Sequence, residues 1–205
     1  MNALAEQFGP IDIYLFDQLL RGRISPGMRI LDAGRGGGRN LIYLLREHYD
    51  IYAADSNAES VAQVADIARV LHPGLVADSQ HFRVEPIEAM SFPDGFADVV
   101  LCNAVLHFAR DTGHFSAIVA GMWRVLAPGG LLFCRLASTI GMESRVRHME
   151  GTDRRYILPD GSTRYLVDET MLMEITGRLG ATLLDPLKTT IVQNQRCMTT
   201  WVLRK

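Results

Sequence analysis

The chain of 205 residues is 48% hydrophobic and 21% charged, the size and composition of one globular domain able to bury its own core. A formal net charge of −2 leaves no basic excess to grip a phosphate backbone, which disfavours nucleic acid as the main partner. Cys102, Cys134 and Cys197 stand far apart with no C-x-x-C spacing, which argues against a zinc site or a disulfide framework and fits a reducing, cytoplasmic setting.

Met1 to Pro10 carry acid and no apolar core, so no signal peptide is expected there. No run in the chain approaches the ~18 apolar residues of a membrane span. Ile11, Leu15, Leu19 and Leu20, with Tyr14 and Phe16, then space out as an amphipathic helix before Gly22. Met28 to Leu31 reads as a short buried strand. It ends at Asp32, breaks into a turn holding Gly34, Gly36, Gly37 and Gly38, and restarts as the helical pattern Leu41, Leu44, Leu45, His48. Strand, glycine turn and helix in that order make a ligand-binding corner. The glycines bring a ligand against the main chain, and the helix start offers unpaired N–H groups.

A dinucleotide corner needs G-x-G-x-x-G, and here Arg39 stands where the third glycine should fall. Asp32 would repel a pyrophosphate and suits a ligand carrying ammonium and sulfonium charge. Arg35 argues the other way, since a phosphate could use its charge. S-adenosylmethionine has both cationic groups, no phosphate, and a carboxylate that the helix start can accept.

Asp50 to Asp55 is a second strand ending in an acid, and Asp55 lies 23 residues beyond Asp32. That is close to the ~20-residue spacing at which a carboxylate meets a ribose hydroxyl pair. Ser56 and Asn57 can cap the helix that follows, Ser60–Leu71. A third strand spans His81 to Glu85. A fourth, Phe96 to Asn103, is apolar on both faces, as a central parallel strand should be. Asn103 and His107 then border the crevice beyond the carboxyl ends of the strands. His107 reads as a general base, as a hydrogen bonder holding the acceptor, or as a core histidine.

Asp111 and Thr112 can cap a helix whose apolar residues run from Phe115 to Leu126, until Pro128-Gly129-Gly130 ends it. Leu131–Leu136 is a fifth strand. Arg135 within it needs an anion, either an acid of the protein or an anionic acceptor. From 141 to 165 the periodicity fades and arginines, including Arg145, Arg147, Arg154, Arg155 and Arg164, mix with acids. An insertion of this length reads as a lid, and cations above a site favour an anionic acceptor. Glu169–Leu179 is a helix. Ala181–Val192, interrupted by Pro186, and Arg196–Leu203 must pair as an antiparallel hairpin, because Gln193-Asn194-Gln195 is too short for a parallel crossover.

Asp32-Ala33-Gly34-Arg35-Gly36-Gly37-Gly38-Arg39-Asn40 resembles the glycine motif of class I S-adenosylmethionine-dependent methyltransferases. Its Gly38-Arg39-Asn40 ending is similar to the tellurite-resistance-like and small-molecule branches, and Arg35 stands where that family often has Cys. Arg124 to Gly130 resembles the R-V-L-K-P-G-G turn before that family's fifth strand, and the terminal hairpin resembles its reversed last strand. The resemblance implies one α/β domain over 1–205, with a Rossmann-like, seven-stranded, mostly parallel sheet, an antiparallel last strand and helices on both faces. It also implies that residues 1–27 form a helical cap over the site, with Tyr14 facing the ligand. An acid after the third strand would bond the adenine amino group. The usual position is Pro86 here, so Glu85 or Glu88 takes that role while Ile87 packs on the ring.

The expected cofactor site is therefore Asp32, Gly34, Gly36, Arg39, Asp55, Ser56, Glu85, Ile87 and Asn103. Tyr14 and Arg135 face the acceptor, His107 is the candidate catalytic group, and no metal is expected. The N-P-P-Y or D-P-P-Y of base-modifying enzymes is absent after the fourth strand, so the acceptor is expected to be a small molecule. Two rivals are an NAD(P)-dependent oxidoreductase and an S-adenosylmethionine-binding module without turnover.

Overall fold

The computed structural model describes residues 3–34, 36–75 and 80–205. Five strands lie parallel: β1 (Arg29–Ala33), β2 (Asp50–Asp55), β3 (Phe82–Val84), β4 (Ala97–Asn103) and β5 (Leu126–Ala137). Against β5 runs β11 (Arg196–Arg204), antiparallel, and beyond it β10 (Lys188–Val192). The spatial order is β10-β11-β5-β4-β1-β2-β3, with the two-residue β9 (Thr182–Leu183) also paired to β11. The chain winds outward from β1 in both directions. The order therefore reverses between β1 and β4, where a ligand crevice opens beyond the strand ends.

Strand alternation sends neighbouring residues to opposite faces. Val100 and Cys102 of β4 join Leu31, Leu132, Phe115 and Trp201 in one core, while Val99 and Leu101 join Leu44, Ile51, Phe133 and Val202 in the other. Helices cover both faces: α2 (Ile13–Leu20), α3 (Ile42–Arg46) and α4 (Ala58–Leu71) on one, α5 (Thr112–Val125) and α6 (Glu169–Arg178) on the other. A short α1 (Ala3–Phe8) rests on α3 through Phe8, whose ring centroid is 4.9 Å from that of Tyr43. Among the described residues, no helix is long and apolar enough to cross a membrane.

Three local expectations change. The helix after the glycine turn is short, because His48 takes φ +57° and ends the run that Leu41, Leu44 and Leu45 begin. Pro128-Gly129-Gly130 does not separate helix from strand. It is looped out within β5, where the register to β4 shifts between Ala97 and Val99. A Cβ on Gly130 would lie 2.9 Å from the Asp98 carbonyl oxygen, so the loop needs glycine there. The 141–165 insertion carries a small antiparallel sheet, β6 (Arg147–His148), β7 (Arg155–Ile157) and β8 (Thr163–Tyr165). Strands of two or three residues are too short to print a period in the sequence.

Candidate active site

The strand ends meet at the glycine corner. Gly34 has φ +130°, and a Cβ there would stand 2.2 Å from a Val105 methyl carbon. Backbone conformation and close approach both demand glycine. The corner opens onto a cavity of about 600 Å³ walled by Gly34, Asp55, Ser56, Ile87, Glu88 and Val105, among others. Asp55 is 6% exposed. Its Oδ1 accepts from the Asn57 backbone N–H at 2.8 Å, while its Oδ2 is buried without a partner. The cap of α4 is Asn57, whose side chain accepts from the Glu59 and Ser60 N–H groups. Helix capping therefore does not use up Asp55.

Asp32 and Gly36 wall neither this cavity nor the smaller one described below. Burial, then the charge of Asp55, push the Asp32 carboxyl up to about 7, against a lowering pull from Arg39. A half-buried carboxyl beside the buried Asp55 resists ionising unless a cation joins them. Arg35 lies outside the described residues.

The far wall is a single helical turn, Ile87–Ala89, held tightly under α5. A Cβ on Gly121 would come within 2.4 Å of the Ile87 carbonyl oxygen, so glycine permits that approach. Glu88 faces the cavity, its carboxylate 3.3 Å from His114 Nε2. Glu85 does not: its carboxylate accepts from the Ser91 N–H and hydroxyl instead. Of the two acids after the third strand, Glu88 is the one brought to the cavity.

A second cavity, of about 380 Å³, is walled by Arg39, Ala104, His107, Arg135, Arg164 and Arg196, among others. Residues 104–108 border both: Val105 and Phe108 face the larger, Ala104 and His107 the smaller. Ala104 has φ +63°, a conformation costly for a residue with a Cβ and frequent at functional sites. Arg135 finds its anion within the protein, since Asp12 Oδ2 lies 2.6 Å from its guanidinium. Asp12 is buried and caps α2 by accepting from the Tyr14 N–H. Arg39 donates to Asn103 Oδ1 at 3.4 Å and to the Pro10 carbonyl, which leaves the Asn103 Nδ2 buried without a partner. Tyr14 walls neither cavity. Its hydroxyl pairs with Thr190 at 2.7 Å and its ring lies 5.3 Å from the Arg135 guanidinium.

His107 is buried, and its Nδ1 accepts from the Ala137 N–H at 3.3 Å. That bond places the neutral ring's proton on Nε2. Burial, then the charge of Arg164, lower its pKa to about 4. His107 is thus a neutral donor rather than a base poised near pH 7.

Asp12 was not among the sequence candidates, although an Asp directly before Ile13 is a helix-cap signal. Arg196 and Arg164 reach the same cavity from different hairpins, and no local spacing announces that. Cys102 and Cys134 face each other across β4 and β5, both buried and free. Among the described residues, no three of His, Cys, Asp or Glu are grouped closely enough to hold a metal ion.

A family model described as "Methyltransferase domain" matches residues 31–134, just over half of the chain, from β1 into β5. The ubiquinone biosynthesis O-methyltransferase of Pectobacterium atrosepticum is 31% identical over 133 residues, which cover 64% of this chain and 51% of that protein. The tRNA 5-carboxymethoxyuridine methyltransferase of Escherichia coli K12 is 26% identical over 105 residues, 51% of this chain and 38% of that protein. The chain thus spans about half the length, or less, of these curated relatives. The crystal structure of a SAM-dependent methyltransferase from Methanosarcina mazei superposes with a TM-score of 0.72 at 20% identity, covering 91% of this chain and 96% of that one. The fold is shared with that structure, and the matched segment holds the glycine corner, both strand-end acids and the 104–108 turn that borders both cavities. The chain belongs to the methyltransferase-domain family.

Proposed function

We propose that this chain binds S-adenosylmethionine in the larger cavity and transfers its methyl group to a small acceptor seated in the smaller one. The observation that carries the reading is Asp55 Oδ2, a buried acceptor with no partner in the wall of a cavity beside Gly34. A ribose diol supplies the donors such an atom lacks, and leaving it bare is costly. Asp32 would take the cationic end of the ligand. Ser56, Ile87 and Glu88 would line the nucleoside, and Asn103 Nδ2 and Arg39 would reach its carboxylate.

When bound, the cofactor supplies a methyl activated by sulfonium charge. The chain's own contribution is alignment and exclusion of water. Val105 and Gly34 fix the wall against which the ligand lies. The 1–27 segment and the 141–165 insertion act as covers; in support, Asp12 holds Arg135 and Arg164 reaches the acceptor cavity. The tRNA-modifying relative keeps nucleic acid open as a partner class. An acceptor cavity of about 380 Å³ and a net charge of −2 favour a small molecule. The small-molecule, tellurite-resistance-like branch rests on Gly38-Arg39-Asn40 alone, and a cytoplasmic setting rests on the three free cysteines.

Calorimetric titration with S-adenosylhomocysteine and with NAD tests the reading. Binding of the former is expected. Binding of NAD without S-adenosylhomocysteine would favour the oxidoreductase, and cofactor binding without turnover on any acceptor would favour the silent module.

A further inference from the structure

We infer that the smaller cavity selects acceptors bearing a carboxylate, and that a carboxylate oxygen itself receives the methyl group, giving a methyl ester. This rests on the proposed function and deepens it. Four guanidinium groups wall the cavity; with Arg39 given to the cofactor's carboxylate, those of Arg135, Arg164 and Arg196 remain for an acceptor. Asp12 is shared, its Oδ2 2.6 Å from the Arg135 guanidinium and 3.7 Å from that of Arg39, and Asp160 is the other acid at the cavity. Asp160 Oδ1 accepts from the Ser162 N–H at 2.9 Å and from the Ser162 hydroxyl at 2.6 Å, and its single charge is outnumbered by the arginines. The cavity therefore keeps an excess of positive charge, and arginine forks match a carboxylate in shape as well as sign.

The second half of the argument is the lack of a base. Among the described residues walling the cavity, the titratable groups besides arginine are His107 and Asp160. The Ala137 N–H occupies His107 Nδ1, so what His107 offers is its Nε2–H. Asp160 is held below the usual carboxylate range by its two bonds to Ser162 and by Arg164 and Arg196, which makes it a poor proton acceptor. An alcohol or phenol would have to lose a proton in flight with nothing here to take it. A carboxylate arrives already deprotonated at neutral pH. One of its lone pairs forms the new O–CH₃ bond as the S–CH₃ bond breaks, and that bond's electron pair neutralises the sulfonium. The products are an ester and a thioether, and no proton moves.

The test is incubation of the protein with methyl-tritiated S-adenosylmethionine and a protein-free metabolite extract, followed by mild alkali. Label released as volatile methanol, the mark of a methyl ester, supports the inference. Label retained in an alkali-stable product overturns it and leaves the transferase reading standing. Absence of labelled product despite firm S-adenosylhomocysteine binding overturns both. Arg164→Gln with Arg196→Gln should lower the alkali-labile label about tenfold or more while S-adenosylhomocysteine affinity stays within about twofold. Undiminished label in that variant would overturn the inference. Nitrogen-15 NMR supplies a readout independent of turnover: His107 should show the neutral ring protonated on Nε2 throughout the neutral range. A charged ring, or a proton on Nδ1, would restore a base and remove the argument.

Discussion

At the scale of single residues, two carboxylates should behave in opposite ways. Asp55 sits with one oxygen satisfied and the other bare, so Asp55→Ala removes acceptance from a ligand diol. Affinity for S-adenosylhomocysteine should fall by about 1–3 kcal/mol, read by calorimetry; an unchanged value would refute the ribose assignment. Asp32 makes a pH prediction. Its native carboxyl holds a proton up to about pH 7, against an ordinary value of 3.8. A raised acid favours the fold below its unfolded value, and that advantage is lost as pH climbs toward 7. Asp32→Asn should therefore be more stable than the native chain in alkali and no more stable in acid. A cationic ligand reverses the preference, because it needs the ionised form. Its affinity should rise between about pH 5.5 and pH 7 and then level off. Asp32→Asn should flatten that profile; a flat profile in the native chain would remove Asp32 from the ligand's cationic end.

At the scale of elements, the glycine corner separates two costs that are usually entangled. Gly34→Ala meets Val105 and also places a Cβ on a residue at φ +130°. Adding Val105→Ala relieves the contact but not the backbone. The single variant should lose several kcal/mol by urea unfolding, and the double variant should recover only part of that, with about 1–3 kcal/mol of strain remaining. Full recovery would mean that crowding alone explains the glycine. This corner is legible in the sequence because strand, turn and cap lie within about a dozen consecutive residues, where spacing carries the geometry. The same holds for Asp55, placed by the end of β2. It fails for Glu85 and Glu88, three positions apart. The choice between them is made by the Ser91 hydroxyl and N–H, which draw Glu85 away from the cavity. For Arg135 the sequence shows that an anion is needed, yet not that Asp12, more than a hundred positions earlier, supplies it.

At the scale of the whole molecule, the fold was readable because its order is imposed by connections. A three-residue link forces the last two strands into a hairpin, and alternating strands and helices force the rest into a parallel sheet. The two cavities were not readable as a pair, since the segments walling the smaller one come from the glycine corner, β5, the insertion and the terminal hairpin. That convergence depends on β11, which lies between β5 and β10 with Trp201, Val202 and Leu203 almost fully buried. Lys205, directly after β11, also ties the Pro-Gly-Gly loop, through Gly129 N–H to the Lys205 carbonyl and Lys205 N–H to the Gly130 carbonyl. Removing residues 196–205 exposes both cores and leaves β5 with an unpaired edge, so no cooperative urea transition should remain. Removing residues 1–9 deletes a segment of similar length whose described contacts include Phe8 against Phe16 and Tyr43 and the Gln7 carbonyl accepting from Arg46. That cost should be about 1–2 kcal/mol, with S-adenosylhomocysteine binding retained. A cooperative transition in the first truncation would show that the parallel strands stand without the reversed one, and the acceptor cavity would then be an addition to the domain rather than a consequence of its folding.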